Sequence, residues 1–142
     1  MHMHENYFSF SAKNHYDLGL AVGKKFAKEA NQALMIAATD KHWPDRKQTA
    51  SLMLSISRKF FPQYIEELEG YAKGANVDFA DFWTLSLEDD AFIDKNRSAA
   101  KCTTIVTNSG LLIGHNEDYF EPGFQDTICI VKKTIAGFTT LE

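Results

Sequence analysis

Cys102 is the residue of this sequence best suited to covalent chemistry. It opens a run rich in β-branched residues (102–107), directly after a charged and then small, polar stretch. A thiol attacks a carbonyl only as the thiolate, and an ordinary cysteine, with a pKa of about 8.5, is mostly protonated at neutral pH. The sequence must therefore supply a base or a positive charge to activate it.

Two bases are compatible with the position of Cys102. His115 lies on the strand expected to pair with the one that Cys102 opens. Alternatively, cleavage of the peptide bond between Lys101 and Cys102 would give the cysteine a free α-amine with a pKa near 8, which can accept the thiol proton. That route needs a nucleophile at the start of a strand, just after an exposed linker, and residues 88–101 have the composition of such a linker.

An amide and a carboxylate are expected near this thiol. Asn116 and Asp118 are two positions apart at the end of the second strand, and a hairpin turning near Ser109 would return them towards Cys102. Asp118 could orient the amine or thiol, and Asn116 could donate to a substrate carbonyl or hold the loop. The same pattern also fits a polar strand end without chemistry. Cys129, between two isoleucines, fits an inert buried cysteine.

The elements that would position these residues divide the chain in two. Residues up to about 90 have helical periodicity, and those from 102 onward have strand periodicity. The predicted domains are a helical pro-segment or α-subunit (1–101), with an exposed linker (88–101), and the start of a β-subunit (102–142) that continues beyond the last residue. Expected strand pairs are 102–107 with 111–115, and 125–133 with 135–140, the second turning at Ala136-Gly137.

Four helices are expected in the first part. Asn14 caps the first, whose apolar positions recur from Leu18 to Leu34, and Gly19 and Gly23 indicate the close approach of another element. The other three begin after Trp43-Pro44, at Pro62 and after Asp78. Their predicted buried positions are Leu52, Ile56 and Phe60 on the second helix, Ile65, Leu68 and Ala72 on the third, and Phe79, Phe82, Trp83 and Leu85 on the fourth.

Composition excludes several functions. The formal net charge of -4 and the scattered cations argue against nucleic acid. Two cysteines make a disulfide scaffold unnecessary, and no apolar run is long enough to span a bilayer, so a cytoplasmic protein is expected. There is no glycine-rich phosphate loop and no Cys-x-x-Cys, so neither a cofactor nor a metal is expected. A regulatory metal site at His2 and His4 is the least favoured alternative.

The arrangement resembles a known family. Cys102-Thr103-Thr104, followed by Gly114-x-Asn116-x-Asp118, is similar to the start of the nucleophile subunit of the penicillin acyltransferase-like (acyl-coenzyme A:6-aminopenicillanate acyltransferase) family of N-terminal-nucleophile hydrolases. Residues 67–78 resemble the segment that precedes its cleavage site, and residues 16–23 resemble its first helix. The resemblance therefore runs along most of the chain in the right order.

The resemblance implies an α+β fold of the N-terminal-nucleophile αββα sandwich type, here only its helical N-terminal part and first antiparallel strands. It implies self-cleavage between Lys101 and Cys102, with Cys102 as nucleophile, Asp118 in support and Asn116 in the same motif. The implied reaction is hydrolysis or acyl transfer at a linear or cyclic amide.

The implied partners are a small-molecule amide and the remainder of the β-subunit. For acyl transfer, a donor such as acyl-coenzyme A is also implied. Formation of a homo-oligomer is left as an alternative. Lys101 occupies the position where penicillin acyltransferase has glycine. An alternative hypothesis is therefore that the chain is a non-catalytic relative that binds an acylated small molecule or a peptide.

Overall fold

Five helices and five strands make up the part of the chain that the computed structural model describes, residues 6–87, 103–107, 112–116 and 129–141. The helices are α1 (His15–Lys25), α2 (Ala27–Ala37), α3 (Trp43–Phe60), α4 (Pro62–Ala75) and α5 (Phe79–Ser86). The strands are β1 (Tyr7–Ala12), β2 (Thr103–Thr107), β3 (Leu112–Asn116), β4 (Ile130–Ile135) and β5 (Phe138–Leu141).

The first helical region begins as predicted but is two helices. The Asn14 side chain accepts a hydrogen bond from the Asp17 amide at 2.7 Å, which caps α1. Phe26 then leaves helical geometry, with φ -105° and ψ 25°, and separates α1 from α2. Its ring lies edge-on to Phe8, at 5.1 Å, and 6.4 Å from Phe10, both on β1. The prediction of one continuous helix to Leu34 is wrong, and this packing of Phe26 on a distant strand accompanies the break.

The close approach expected at Gly19 and Gly23 is confirmed, and α4 is the partner. A Cβ on Gly19 would overlap the Glu67 carbonyl oxygen, and one on Gly23 would overlap that of Tyr71. Gly70 and Gly74 of α4 meet the α1 backbone in the same way. Each helix therefore presents two glycines, one turn apart, to the backbone of the other.

The α3 face predicted to be buried is exposed. Leu52, Ile56 and Phe60 are 69%, 61% and 63% exposed. The helix packs instead through Ala50, which is fully buried, with Ile65 and Trp83. The Trp83 indole N–H donates to the Ala50 carbonyl at 2.7 Å, so a contact between α3 and α5 selects the buried side of α3.

Helices α4 and α5 follow the sequence prediction closely. Pro62 opens α4 in its first turn, where a missing N–H costs nothing, and Asn76 ends it in the left-handed conformation (φ 56°). Asp78 caps α5 by accepting from the Asp81 amide at 3.0 Å. Of the positions predicted to be buried on these helices, Ile65, Ala72, Phe82 and Trp83 are buried, and Leu68, Phe79 and Leu85 are half-buried.

Strand β1 was not predicted, since residues 7–12 fall in the part expected to be helical. It lies parallel to β4, with Tyr7 opposite Ile130 and Ala12 opposite Ile135. β4 in turn pairs antiparallel with β5, so the sheet order is β1-β4-β5. The alternation of exposed and half-buried residues along β1 is the ordinary strand pattern, which was missed beside the stronger helical signals.

Both predicted hairpins are present where the structure describes them. β2 and β3 pair antiparallel. β4 and β5 join through Ala136 and Gly137, whose φ values of 48° and 90° are those of a tight two-residue turn. The linker 88–101 lies outside the described residues, as does the start of the strand expected from 125. No helix of the described segments is both long and apolar enough to cross a membrane.

Candidate functional site

The β2–β3 register brings the two ends of the predicted nucleophile motif to one end of a hairpin. Thr103 lies directly opposite Asn116, and Thr104 lies opposite His115. Cys102 is one residue before Thr103 in the sequence, and Asp118 is two residues after Asn116. Both are therefore attached to the same end of this ladder.

Cys102, Lys101 and Asp118 themselves lie outside the described residues, and for Asn116 the structure describes the backbone. Covalent geometry nonetheless limits their separation. The Cα of Cys102 is about 3.8 Å from that of Thr103, and the Cα of Asp118 lies within about 7 Å of that of Asn116. Antiparallel partners such as Thr103 and Asn116 have Cα atoms about 5 Å apart. Together these distances limit the separation of the Cα atoms of Cys102 and Asp118 to about 16 Å.

Cys129 is a free, half-buried cysteine directly before β4. It lies near Tyr71, whose ring packs 4.6 Å from that of Phe82. Burial raises the pKa of Tyr71 to about 12, and the charges of Glu29 and Cys129 add smaller contributions in the same direction. Cys129 is therefore less buried than the sequence predicts, and its expected inertness stays a prediction.

A second cluster of chemically capable groups centres on Glu67 of α4. Its Oε2 lies 3.0 Å from Nδ1 of His15, the first residue of α1, and its Oε1 accepts from the Lys133 ammonium at 2.7 Å. The Glu67 and Lys133 side chains are each 15% exposed and that of His15 is 26% exposed. The His15 ring stands edge-on to Tyr64, with centroids 5.8 Å apart.

These three residues line an open groove of about 760 Å³ between the start of α1, α4 and the β4–β5 hairpin. Its apolar walls include Leu18, Leu68 and Ile135, with Tyr64 and Phe138. Within the segments that the structure describes, no group of three His, Cys, Asp or Glu residues could hold a metal ion. The groove therefore combines an imidazole and four charged side chains, those of Lys13, Glu66, Glu67 and Lys133, with apolar walls.

No sequence motif indicates a role for His15, Glu67 or Lys133. They are separated by 52 and 66 positions in the chain, on two helices and a strand, and none stands in a motif with the others. The usable signal was weak: Lys133 is a charged residue in an apolar strand, where a buried charge needs a partner. Only the fold identifies that partner.

Comparison with known proteins gives one informative result. The chain is 29% identical over 124 residues to the beta-alanyl-dopamine/carcinine hydrolase of Drosophila melanogaster, an alignment that covers 77% of this chain. The chain spans about a third (32%) of the length of that relative. No protein-family model matches the chain. The chain is thus distantly similar to a hydrolase.

Proposed function

We propose that this chain belongs to an amide hydrolase or acyltransferase of the N-terminal-nucleophile type, similar to the penicillin acyltransferase-like family, with Cys102 as nucleophile. The similarity to a carcinine hydrolase over 77% of the chain is the observation that carries this proposal. The β2–β3 register supports it, because Thr103, the residue after Cys102 in the sequence, lies opposite Asn116.

Activation of the thiol begins with cleavage between Lys101 and Cys102. The new α-amine takes the proton from the Cys102 sulfur, and the thiolate attacks the amide carbonyl carbon of the substrate. The tetrahedral intermediate collapses as the C–N bond breaks, and the α-ammonium returns the proton to the leaving amine. Water, or an amine acceptor in the transferase variant, then attacks the thioester and releases the thiol.

The residues around the thiol have supporting roles. Asp118 accepts a hydrogen bond from the α-ammonium and so orients it. In a regular ladder alternate positions share a face, so Thr103 and Asn116 occupy one face, and Thr104 and His115 the other. Asn116 donates to the substrate carbonyl or holds the loop, and His115 is the competing base.

Three variants of the protein in its natural length test this function. Intact-mass measurement should show two pieces divided between Lys101 and Cys102, and carcinine or beta-alanyl-dopamine should be hydrolysed. Cys102→Ala should abolish both properties, whereas Cys129→Ala, the matched control, should keep both. His115→Gln separates the bases: retained cleavage and activity indicate the α-amine. Full hydrolysis by Cys102→Ala would overturn the proposal, and uncleaved, inactive wild-type protein would favour a binding role.

The substrate proposed is a small-molecule amide. For the transferase variant an acyl donor such as acyl-coenzyme A is added. The remainder of the β-subunit is the proposed macromolecular partner, because this chain spans about a third (32%) of the similar hydrolase.

A further inference from the structure

The groove around Glu67 has the features of a small-molecule site independent of the proposed reaction. We propose that it binds a neutral phenol, with the hydroxyl on Nε2 of His15 and the ring between the apolar walls. The inference stands on the hydrogen bonding of His15 and on the shape and lining of the groove.

Glu67 determines how His15 is presented. Because Oε2 of Glu67 lies 3.0 Å from Nδ1, a neutral ring carries its proton on Nδ1 and donates it to the carboxylate. The lone pair is then on Nε2, which has no hydrogen-bond partner among the described residues. The edge-on contact with Tyr64 limits rotation of the ring. In this neutral form, His15 offers Nε2 as a hydrogen-bond acceptor in a restricted direction.

The charged lining of the groove favours an uncharged ligand. It consists of two lysines and two glutamates, Lys13, Lys133, Glu66 and Glu67, and the Lys133 ammonium donates to Oε1 of Glu67 at 2.7 Å. A ligand carrying a full charge would have to compete with this contact. A neutral hydroxyl does not, and it satisfies Nε2 with its single proton.

The apolar walls of the groove favour a ligand with an aromatic ring. The described lining places Leu18, Leu68 and Ile135 beside the aromatic rings of Tyr64 and Phe138. The volume of about 760 Å³ is within the range of small-molecule sites. Phe138 is 82% exposed, so a bound ring would cover apolar surface that water otherwise contacts.

The test compares two probes that differ in one donor, 4-ethylphenol and 4-ethylanisole, titrated into the whole chain and followed by NMR. The phenol should bind about tenfold more tightly than the ether, because it makes one hydrogen bond that the ether cannot make. In His15→Phe, which keeps an aromatic ring at the site, that preference should disappear while the ether binds as before. An unchanged preference, or no saturable shift with either probe, would overturn the proposal.

A second variant keeps the proposal testable if His15→Phe fails to fold. Phe138 is exposed on β5, so Phe138→Ser should leave the fold intact. It should weaken both probes by about fivefold and leave the phenol preference at its wild-type value, because only the apolar wall is lost. If Phe138→Ser bound both probes as tightly as the wild type, the groove would not be the site.

Discussion

Glu67 and Lys133 form an ion pair 2.7 Å long that joins a helix upstream of Cys102 to a strand downstream of it. Both side chains are mostly shielded from water, at 15% exposure. Strand β1 also connects the two regions, through its parallel ladder with β4. If the chain is cut before Cys102, both contacts join the resulting pieces.

The Glu67–Lys133 pair should contribute measurable coupling to stability. Glu67→Gln, Lys133→Met and the double variant, each unfolded in urea, should give a coupling free energy of about 1–3 kcal/mol, because water screens the pair poorly. The matched control is Arg58 with Glu69, a pair of similar length, 2.5 Å, whose side chains are 46% and 32% exposed. Its coupling should stay below about 1 kcal/mol. Equal coupling in the two pairs would contradict this assignment.

The glycine contact between α1 and α4 predicts an unusual sign for alanine substitution. At an open helical position, Gly→Ala stabilises a protein by up to about 1 kcal/mol. Gly19→Ala should instead lower the free energy of unfolding by more than about 2 kcal/mol, because the new methyl group would overlap the Glu67 carbonyl.

Ser55→Ala is the control for that substitution, since Ser55 is exposed on α3. It should change the free energy of unfolding by less than about 0.5 kcal/mol. Urea titration measures both variants. A neutral or stabilising Gly19→Ala would show that the two helices are further apart than described.

Tyr71 should make the folded state lose stability at alkaline pH. Its pKa is raised to about 12, so the folded protein holds the phenol proton more tightly than the unfolded chain does. Stability from this group is therefore complete below pH 10 and falls as pH rises towards 12. Tyr71→Phe keeps the ring contact with Phe82 and removes the titration. Between pH 9 and pH 11 the wild type should lose about 1 kcal/mol more than Tyr71→Phe.

The Tyr71 comparison also controls for other groups. The hydrogen bond to Asp81 raises the pKa of Lys47. Deprotonation of Lys47 at alkaline pH therefore also lowers the stability of the folded state. Lys47 is present in both proteins, so the difference between them isolates Tyr71. Parallel stability curves for the wild type and Tyr71→Phe would contradict the buried phenol.

Local signals in the sequence predicted much of the helical part. The Asn14 and Asp78 caps, the Pro62 start and the Asn76 end depend on nearest neighbours and are confirmed. The turn at Ala136-Gly137 is confirmed for the same reason. These features are encoded within about one helical turn.

The errors come from long-range packing. Leu52, Ile56 and Phe60 have perfect helical spacing, but α3 is oriented by the Trp83–Ala50 contact, 33 positions apart in the sequence. Strand β1 depends on β4, more than a hundred residues away. For the candidate site, the sequence suggested the hairpin, and the register adds that Asn116 opposes Thr103. The Glu67 cluster could not be predicted, because its three residues meet only in the folded chain.

The reactivity of the Cys102 thiol tests the central claim most directly. Alkylation of Cys102 and Cys129 by iodoacetamide can be followed site by site by mass spectrometry, across pH, in the protein of natural length. We predict that Cys102 reacts at least about ten times faster than Cys129 at pH 7, with an apparent pKa below the usual value of about 8.5. If Cys102 titrates as an ordinary thiol and reacts no faster than Cys129, it is not the nucleophile.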